Sequence, residues 1–234
     1  MRAGEFTPTN QLVIFDIDDT LFHTTAKILV RDSESKKVIR SLTNQEFNDY
    51  KLKPNEVYDF GEFRNAEKFE EESMPIGPML DQLRQDLRAG HRVVMLTARE
   101  DFDNQKTIWR TFKRHGIDIN RDVHLYRAGN LPGSEPPAEK KAKFVRLWLN
   151  KHLYDSVTLY DDSTSNLRVF KALQKEYPTV KFIAHHVTQG SKTKKIEGVD
   201  FTAPRGVANP IGSDNVISPV GSVPTSQRIN KKKA

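Results

Sequence analysis

Five short apolar runs recur along this chain, and helix-length amphipathic stretches stand between and before them. The runs are residues 11–16 (QLVIFD), 92–97 (RVVMLT), 122–126 (DVHLY), 156–160 (SVTLY) and 179–184 (TVKFIA). Each is short and rich in Val, Ile, Leu or aromatic residues, the pattern of a strand buried on both faces. The intervening stretches read as helices. Residues 78–89 put Met79, Leu80, Leu83 and Leu87 on one face, with Pro78 suited to a first turn and Gly90 to a C-cap. A second helix, over about 102–115, turns Phe102, Ile108, Trp109 and Phe112 inward. A third, introduced by Pro136–Pro137, runs to about His152 with Phe144, Leu147, Trp148 and Leu149 as its apolar side, and a fourth covers about 164–176. Strands alternating with helices pair in parallel, with helices on both faces. The fold class expected is α/β, a doubly wound parallel sheet.

Two regions break the alternation. Residues 21–75 hold a hairpin signal (ILVRD-SESK-KVIRSL) and a polar stretch, and read as an insertion above the sheet after the first strand. Residues 191–234 combine Gly, Pro and Ser with isolated apolar residues and no period, the composition of a disordered or extended tail. The charge is uneven in the same way. Of the net +6, the tail accounts for +5, with eight Lys/Arg against three Asp/Glu, so the other 190 residues carry only +1. A basic tail draws polyanions over long range, or it simply keeps a loose end solvated. Cysteine is absent, which excludes disulfides and thiolate chemistry. No signal peptide and no membrane-length apolar run is found, so a cytoplasmic protein is expected.

The chemistry sits at the strand ends. The first strand ends in Asp16-Ile17-Asp18-Asp19-Thr20, the second in Leu96-Thr97-Ala98-Arg99, and the fourth in Asp161-Asp162-Ser163-Thr164-Ser165-Asn166. A lysine-rich helix start, Glu139-Lys140-Lys141-Ala142-Lys143, lies between the last two. In doubly wound sheets ligands bind beyond the carboxyl ends of the strands, so these segments converge. Crowded carboxylates repel one another unless a cation compensates them, and oxygen donors suit a hard divalent ion such as Mg²⁺. Thr97, Arg99 and the lysines are the donors a phosphate would need. Capping or turn chemistry explains one such Asp, not this many at separate strand ends.

With these segments in view, Asp16-Ile17-Asp18-Asp19-Thr20 resembles motif I of the haloacid dehalogenase (HAD) superfamily, DxDx[TV]. Leu96-Thr97 resembles motif II, a lysine at the start of the next-to-last helix resembles motif III, and Asp161-Asp162 with Asn166 is similar to motif IV. The resemblance covers roughly residues 10–186. It implies a Rossmann-like, HAD-like core over 10–20 and 76–186, and a cap formed by 21–75. It implies a Mg²⁺-dependent phosphatase in which Asp16 attacks phosphorus to form an aspartyl-phosphate and Asp18 serves as general acid, then general base. Asp18, rather than a residue without a carboxylate, favours phosphatase over dehalogenase chemistry. Asp16, Asp18 (through its carbonyl) and Asp162 would hold the metal, with Asp161 as a second or water-mediated contact. Thr97 would hydrogen-bond the phosphoryl group, and a lysine would offset its charge. Which of Lys140, Lys141 and Lys143 fills that role is open, with Lys143 favoured and Lys140 the alternate.

The segment LTARE resembles motif II of the phosphatase half of bacteriophage-type polynucleotide kinase-phosphatases, where an Arg at the position of Arg99 joins the phosphate site. The doubled acids of motif IV and a lysine five residues before a tryptophan (Lys143, Trp148) point the same way. The resemblance implies a nucleotide or a nucleic-acid 3′-phosphate end as substrate, possible non-specific nucleic-acid contact through the basic tail, and no membrane partner. Competing readings are a small-molecule or 5′-nucleotide phosphatase, and a nucleic-acid-binding protein with incidental turnover. Without a GxxxxGK[ST] loop there is no kinase half. Arg99 could instead pair with Glu100 or Asp101. In the insertion, Arg31, Arg40 and Lys53 could meet substrate or solvent, and Tyr50, Tyr58 and Phe60 could stack a base or pack the insertion. His23 could meet substrate, while the adjacent His185 and His186 face opposite ways on a strand and do not form a metal pair.

Overall fold

The computed structural model describes residues 10–119, 121–188 and the backbone of 192–195. In chain order the elements are β1 (Gln11–Phe15), β2 (Phe22–His23), β3 (Ile28–Asp32), β4 (Val38–Leu42), α1 (Asn44–Asp49), β5 (Glu56–Asp59), α2 (Gly61–Arg64), α3 (Ala66–Glu72) and β6 (Met74–Pro75). They continue as α4 (Gly77–Arg88), β7 (Arg92–Thr97), α5 (Gln105–Arg114), β8 (His124–Arg127), α6 (Pro137–Lys151), β9 (Ser156–Asp161), α7 (Thr164–Ala172), β10 (Lys181–Thr188) and β11 (Lys192–Lys195).

The five apolar runs form one parallel sheet, in the order β10-β9-β1-β7-β8. Because successive side chains on a strand face opposite ways, each strand serves two cores. Val13, Phe15, Val93 and Met95 face α4 and α5, where Met79, Leu83, Ile108 and Phe112 close the layer. Leu12, Ile14, Val94 and Leu96 face α6 and α7, where Ala142, Val145, Trp148 and Phe170 close the other. This is the doubly wound α/β fold. The chain runs outward from β1 through β7 and β8, then returns to lay β9 on the opposite side of β1. The strand order reverses between β1 and β9, the place where such sheets open a crevice.

Two helices present different faces from those the apolar pattern suggests. Trp109 is 42% exposed and Leu147 is 41% exposed. On α6 the buried stripe is Ala138, Lys141, Ala142, Val145 and Trp148, the three-and-four spacing of a helix face, with Phe144 and Leu149 at its margin. The small alanines let the helix approach the sheet, so the larger Leu147 falls outside. The sheet also reaches into the segment expected as tail. Lys192–Lys195 pair antiparallel with β10, His185 opposite Lys195 and Thr188 opposite Lys192. The rest of 191–234 lies outside the described residues, as does the basic run at its end.

The insertion opens and closes on a two-stranded ladder of β2 and β6, with Phe22 opposite Pro75 and His23 opposite Met74. Within it the expected hairpin is β3–β4, and β5 adds a third antiparallel strand on the other side of β3. Ile28, Val30 and Leu42 make its small core, with Phe47, Tyr50, Tyr58 and Phe63 against them. Tyr50 and Tyr58 are packing residues: the Tyr58 hydroxyl donates to the Tyr50 carbonyl, and Tyr58 stacks edge-on to Phe47. Arg31 pairs with Asp59, and Arg40 lies over the Tyr50 ring. The last helix, α3, belongs to the main body, since Ala66 and Phe69 join the core that contains Phe22, Phe102 and Phe112. Among the described residues no helix is long and apolar enough to cross a membrane.

Candidate active site

The β1 strand ends where its next amide still belongs to the sheet: Asp16 N–H donates to the Tyr160 carbonyl on β9 at 3.0 Å. Alternation then buries Ile17 in the core while Asp16 and Asp18 project to the other side. The chain reverses at once. The Leu21 and Phe22 amides donate to the Ile17 carbonyl, and Asp19 sits at φ 54°, a left-handed conformation that Asp tolerates better than most residues. The Asp19 carboxylate accepts from Asn44 Nδ2 at 3.0 Å, so the N-terminus of α1 reaches down to this turn.

Beside it, β9 ends in Asp161, which has no exposed surface. Its carboxylate accepts from the Ser163 amide at 2.9 Å, from Asn166 Nδ2 at 2.9 and 3.0 Å, and from Lys141 Nζ at 2.9 Å. Asn166 is thus a structural partner of Asp161, and Ser163 caps α7. Lys141 Nζ also donates to Asp16 Oδ1 at 2.7 Å. His186 Nε2 donates to the Asp162 carbonyl at 2.9 Å, while His185 on the opposite face stacks on Tyr160 at 4.6 Å. His23 contacts Asp19 at 3.5 Å.

One oxygen each from Asp16, Asp161 and Asp162 lies within 4.8 Å of the others. Among the described residues only Lys141 forms an ion pair with any of these three carboxylates. The electrostatics follow. Burial pushes the Asp16 carboxyl up from 3.8 to about 7; Asp161 and Asp18 add to the rise, and Lys141 opposes it. The Asp162 carboxyl is likewise held well above the ordinary range by burial, then by Asp161 and Asp16. Burial alone would lower the Lys141 ammonium, but Asp16 and Asp161 outweigh it and hold it above its usual value. Three carboxylates with one cation remain short of positive charge, and all three offer hard oxygen donors. That donor set fits a divalent ion of the Mg²⁺ type. Asp161 already accepts bonds on both oxygens, which leaves Asp16 and Asp162 as the carboxylates with room for a metal.

The lysine is a correction to the sequence reading. Lys143 points to the surface and pairs with Glu135 at 2.6 Å, and Lys140 donates to the Leu131 carbonyl at 2.7 Å. Lys141 occupies the site because it shares the buried stripe with Ala138, Val145 and Trp148; a residue two positions on is turned by about 200° on a helix. That stripe is visible in the sequence once the two alanines are counted as facing the sheet.

The other wall is built from β7. Thr97 is fully buried; its hydroxyl oxygen accepts from the Arg99 amide at 3.1 Å and lies 3.5 Å from Asp18 Oδ2. Arg99 pairs with Asp18, not with Glu100 or Asp101. Its Nε lies 2.9 and 3.1 Å from the two Asp18 oxygens and its Nη2 lies 2.6 Å from Oδ1. The Asp18 side chain is therefore turned toward Arg99. Of the sequence-predicted residues, the structure brings together Asp16, Asp161 and Asp162 in one group and Asp18, Thr97 and Arg99 in another alongside it; Lys140 and Lys143 lie outside both.

Residues 3–132 match the family model described as "Protein of unknown function (DUF2608)". The chain belongs to the DUF2608 family. The matched span contains the first two of the site's segments, through Arg99, and the whole insertion. No curated protein matches this DUF2608 member. Among solved structures, the HAD domain of effector protein Lem4 from Legionella pneumophila, an inactive mutant, is similar with a TM-score of 0.44 and 14% identity. That similarity covers 79% of this chain and 88% of the Lem4 chain.

Proposed function

We propose that this DUF2608 protein is a Mg²⁺-dependent phosphomonoester hydrolase that works through an aspartyl-phosphate on Asp16. The observation that carries the reading is the Asp16–Lys141–Asp161 arrangement at the switch point of the sheet, with Asp162 beside it. One Asp16 oxygen is held by Lys141, and among the described residues the other accepts no hydrogen bond, which leaves it for attack on phosphorus. In the first step an Asp16 oxygen bonds to phosphorus and the ester P–O bond breaks, the leaving oxygen taking a proton from Asp18. In the second, a water oxygen bonds to phosphorus, its proton passes to Asp18, and the Asp16–phosphorus bond breaks to release inorganic phosphate. Lys141 and Thr97 flank the phosphoryl group, Lys141 offsetting its negative charge. Asp16, Asp162 and the Asp18 carbonyl would hold Mg²⁺, which when bound supplies charge compensation to the carboxylates and the phosphoryl oxygens.

For substrate, the doubled acids at the end of β9 support a nucleotide or nucleic-acid 3′-phosphate end, with the basic tail as a non-specific contact; Arg99, engaged by Asp18, lends the LTARE resemblance no support. A panel of 3′-phosphorylated oligonucleotides, 5′-phosphorylated oligonucleotides and mononucleotides, assayed with Mg²⁺, tests both levels. Turnover on any member that vanishes in Asp16→Asn supports the hydrolase, and preference for the 3′-phosphate supports the substrate. Absence of turnover across the panel and on an aryl phosphate would leave the fold without this chemistry.

A further inference from the structure

We propose that Arg99 is a positioning residue for Asp18, and that it makes the presentation of this carboxylate depend on the docking of the insertion; the inference rests on the phosphatase reading above. The Arg99 side chain is 1% exposed. Beyond its contacts to Asp18, Nη2 donates to Thr24 Oγ1 at 3.1 Å and Nη1 donates to the Phe63 carbonyl on α2. The guanidinium carbon lies 4.8, 5.0 and 5.1 Å from the ring centres of Phe63, Phe69 and Phe102. Three aromatic rings thus wall the cation and attract it through their faces. A phosphate could reach this fork only by displacing Asp18 or a ring, so the geometry makes Arg99 a clamp on a carboxylate and not a ligand of the substrate.

The clamp is anchored from both sides. Its backbone is fixed by the core: the Gly129 amide donates to the Arg99 carbonyl at 3.1 Å, and a Cβ at position 129 would stand 2.6 Å from the Ala98 carbonyl oxygen. Only glycine permits that approach. Its side chain is fixed by the insertion, through Thr24 and Phe63. The insertion is itself tied to the body nearby, by the Asp103 amide to the Arg64 carbonyl at 2.9 Å and the Ala66 amide to the Asp103 carboxylate at 2.9 Å. Movement of α2 away from the core removes the Phe63 carbonyl and one ring from Arg99, and with them the fixed orientation of Asp18. A lysine cannot substitute, because a single ammonium lacks the planar fork that spans Asp18, Thr24 and Phe63 together.

The test uses the full chain with Mg²⁺ and p-nitrophenyl phosphate, comparing wild type, Arg99→Lys, Asp18→Asn, the double variant and Thr24→Val. If Arg99 acts through Asp18, Arg99→Lys lowers kcat by on the order of 100-fold, the loss a small misplacement of a reacting group brings. KM and inhibition by inorganic phosphate stay within about 2-fold, because no substrate contact is lost. The double variant is no slower than Asp18→Asn alone, since residues acting as a unit are not additive. Thr24→Val, which removes one acceptor, lowers kcat by less with the same constant KM. A rise in KM with weakened phosphate inhibition at unchanged kcat, or a double variant slowed by the product of the single effects, overturns the inference. If Arg99→Lys does not fold, Thr24→Val decides: an unchanged kcat overturns it. Wild-type protein with no turnover sinks the phosphatase reading and this inference together, whereas an active wild type with multiplicative variants sinks only this one.

Discussion

The site has two walls built from the same kind of contact and anchored in different ways. On one, Lys141 joins Asp16 and Asp161, and every partner belongs to the sheet or to α6 and α7. On the other, Arg99 holds Asp18, and part of its support comes from the insertion. Both pairs are buried, and both would be costly to leave half-made. The difference is in what can move. The Lys141 wall cannot open without unfolding the core, because its helix stripe and two strands are what the core is made of. The Arg99 wall depends on a segment with its own small core and its own sheet, which meets the body through contacts such as Asn44 to Asp19, Arg99 to Thr24 and Phe63, and Asp103 to Arg64. In the proposed chemistry the rigid wall would carry the nucleophile and the dependent wall the proton-transfer group, so a moving insertion would gate proton transfer before it touched the covalent step.

The sharpest way to break this comparison is to remove the cation of the rigid wall. Lys141→Met removes the ion-pair partner that Asp16 and Asp161 share, and breaking a buried pair in this way costs about 3–5 kcal/mol. Metal-free protein carrying it should melt far below wild type, or fail to fold, and Mg²⁺ should recover part of the loss; a melt unchanged from wild type would show that Lys141 does not hold the wall.

A smaller and more graded effect comes from pH and metal. In the metal-free protein the Asp16 carboxyl is raised from 3.8 to about 7, so the native state holds this proton more tightly than the unfolded chain does. That contribution to stability is fully present below 3.8 and is lost as the pH rises to about 7. Mg²⁺ must displace the Asp16 proton, so its affinity should weaken by at least about 10-fold per pH unit below 7. Thermal melts with and without Mg²⁺ should accordingly separate more at pH 8 than at pH 5.5. An equal separation at both would mean that Asp16 is not a ligand.

The smallest effect expected is at Lys143. Its pairing with Glu135 is half exposed on both sides, and such pairs contribute about 0–1 kcal/mol. Lys143→Met should leave the melt and turnover near wild type. Comparable losses in Lys143→Met and Lys141→Met would erase the distinction between the two lysines.

How much of this was legible beforehand follows from the range of the forces involved. Buried strands announce themselves by composition over five or six residues, and each of the five parallel strands overlaps its apolar run, with β10 continuing to Thr188, four residues past the run. The acids at their tips are visible because nothing in a simple turn calls for so many. What failed was the choice of face. Hydrophobicity alone points Trp109 and Leu147 inward, yet α5 turns Thr107, Ile108, Thr111 and Phe112 to the core, and α6 turns Ala138, Lys141, Ala142, Val145 and Trp148. Lys143 stands out by its place five residues before Trp148, but the stripe that meets the sheet carries Lys141 to the site.

The order of strand and helix, the carboxylates at the strand ends and the place of the insertion were set by the sequence itself, because each is a matter of local period and of chemistry that solvent or neighbours must answer. Only the folded chain decided that Lys141 meets Asp16, that Asp161 is saturated while Asp162 is not, and that Arg99 reaches across to Asp18 and the Phe63 carbonyl. Those are contacts between segments as many as 125 residues apart. Their partners are chosen by the strand order, which brings β1 between β9 and β7, and no local pattern carries that order.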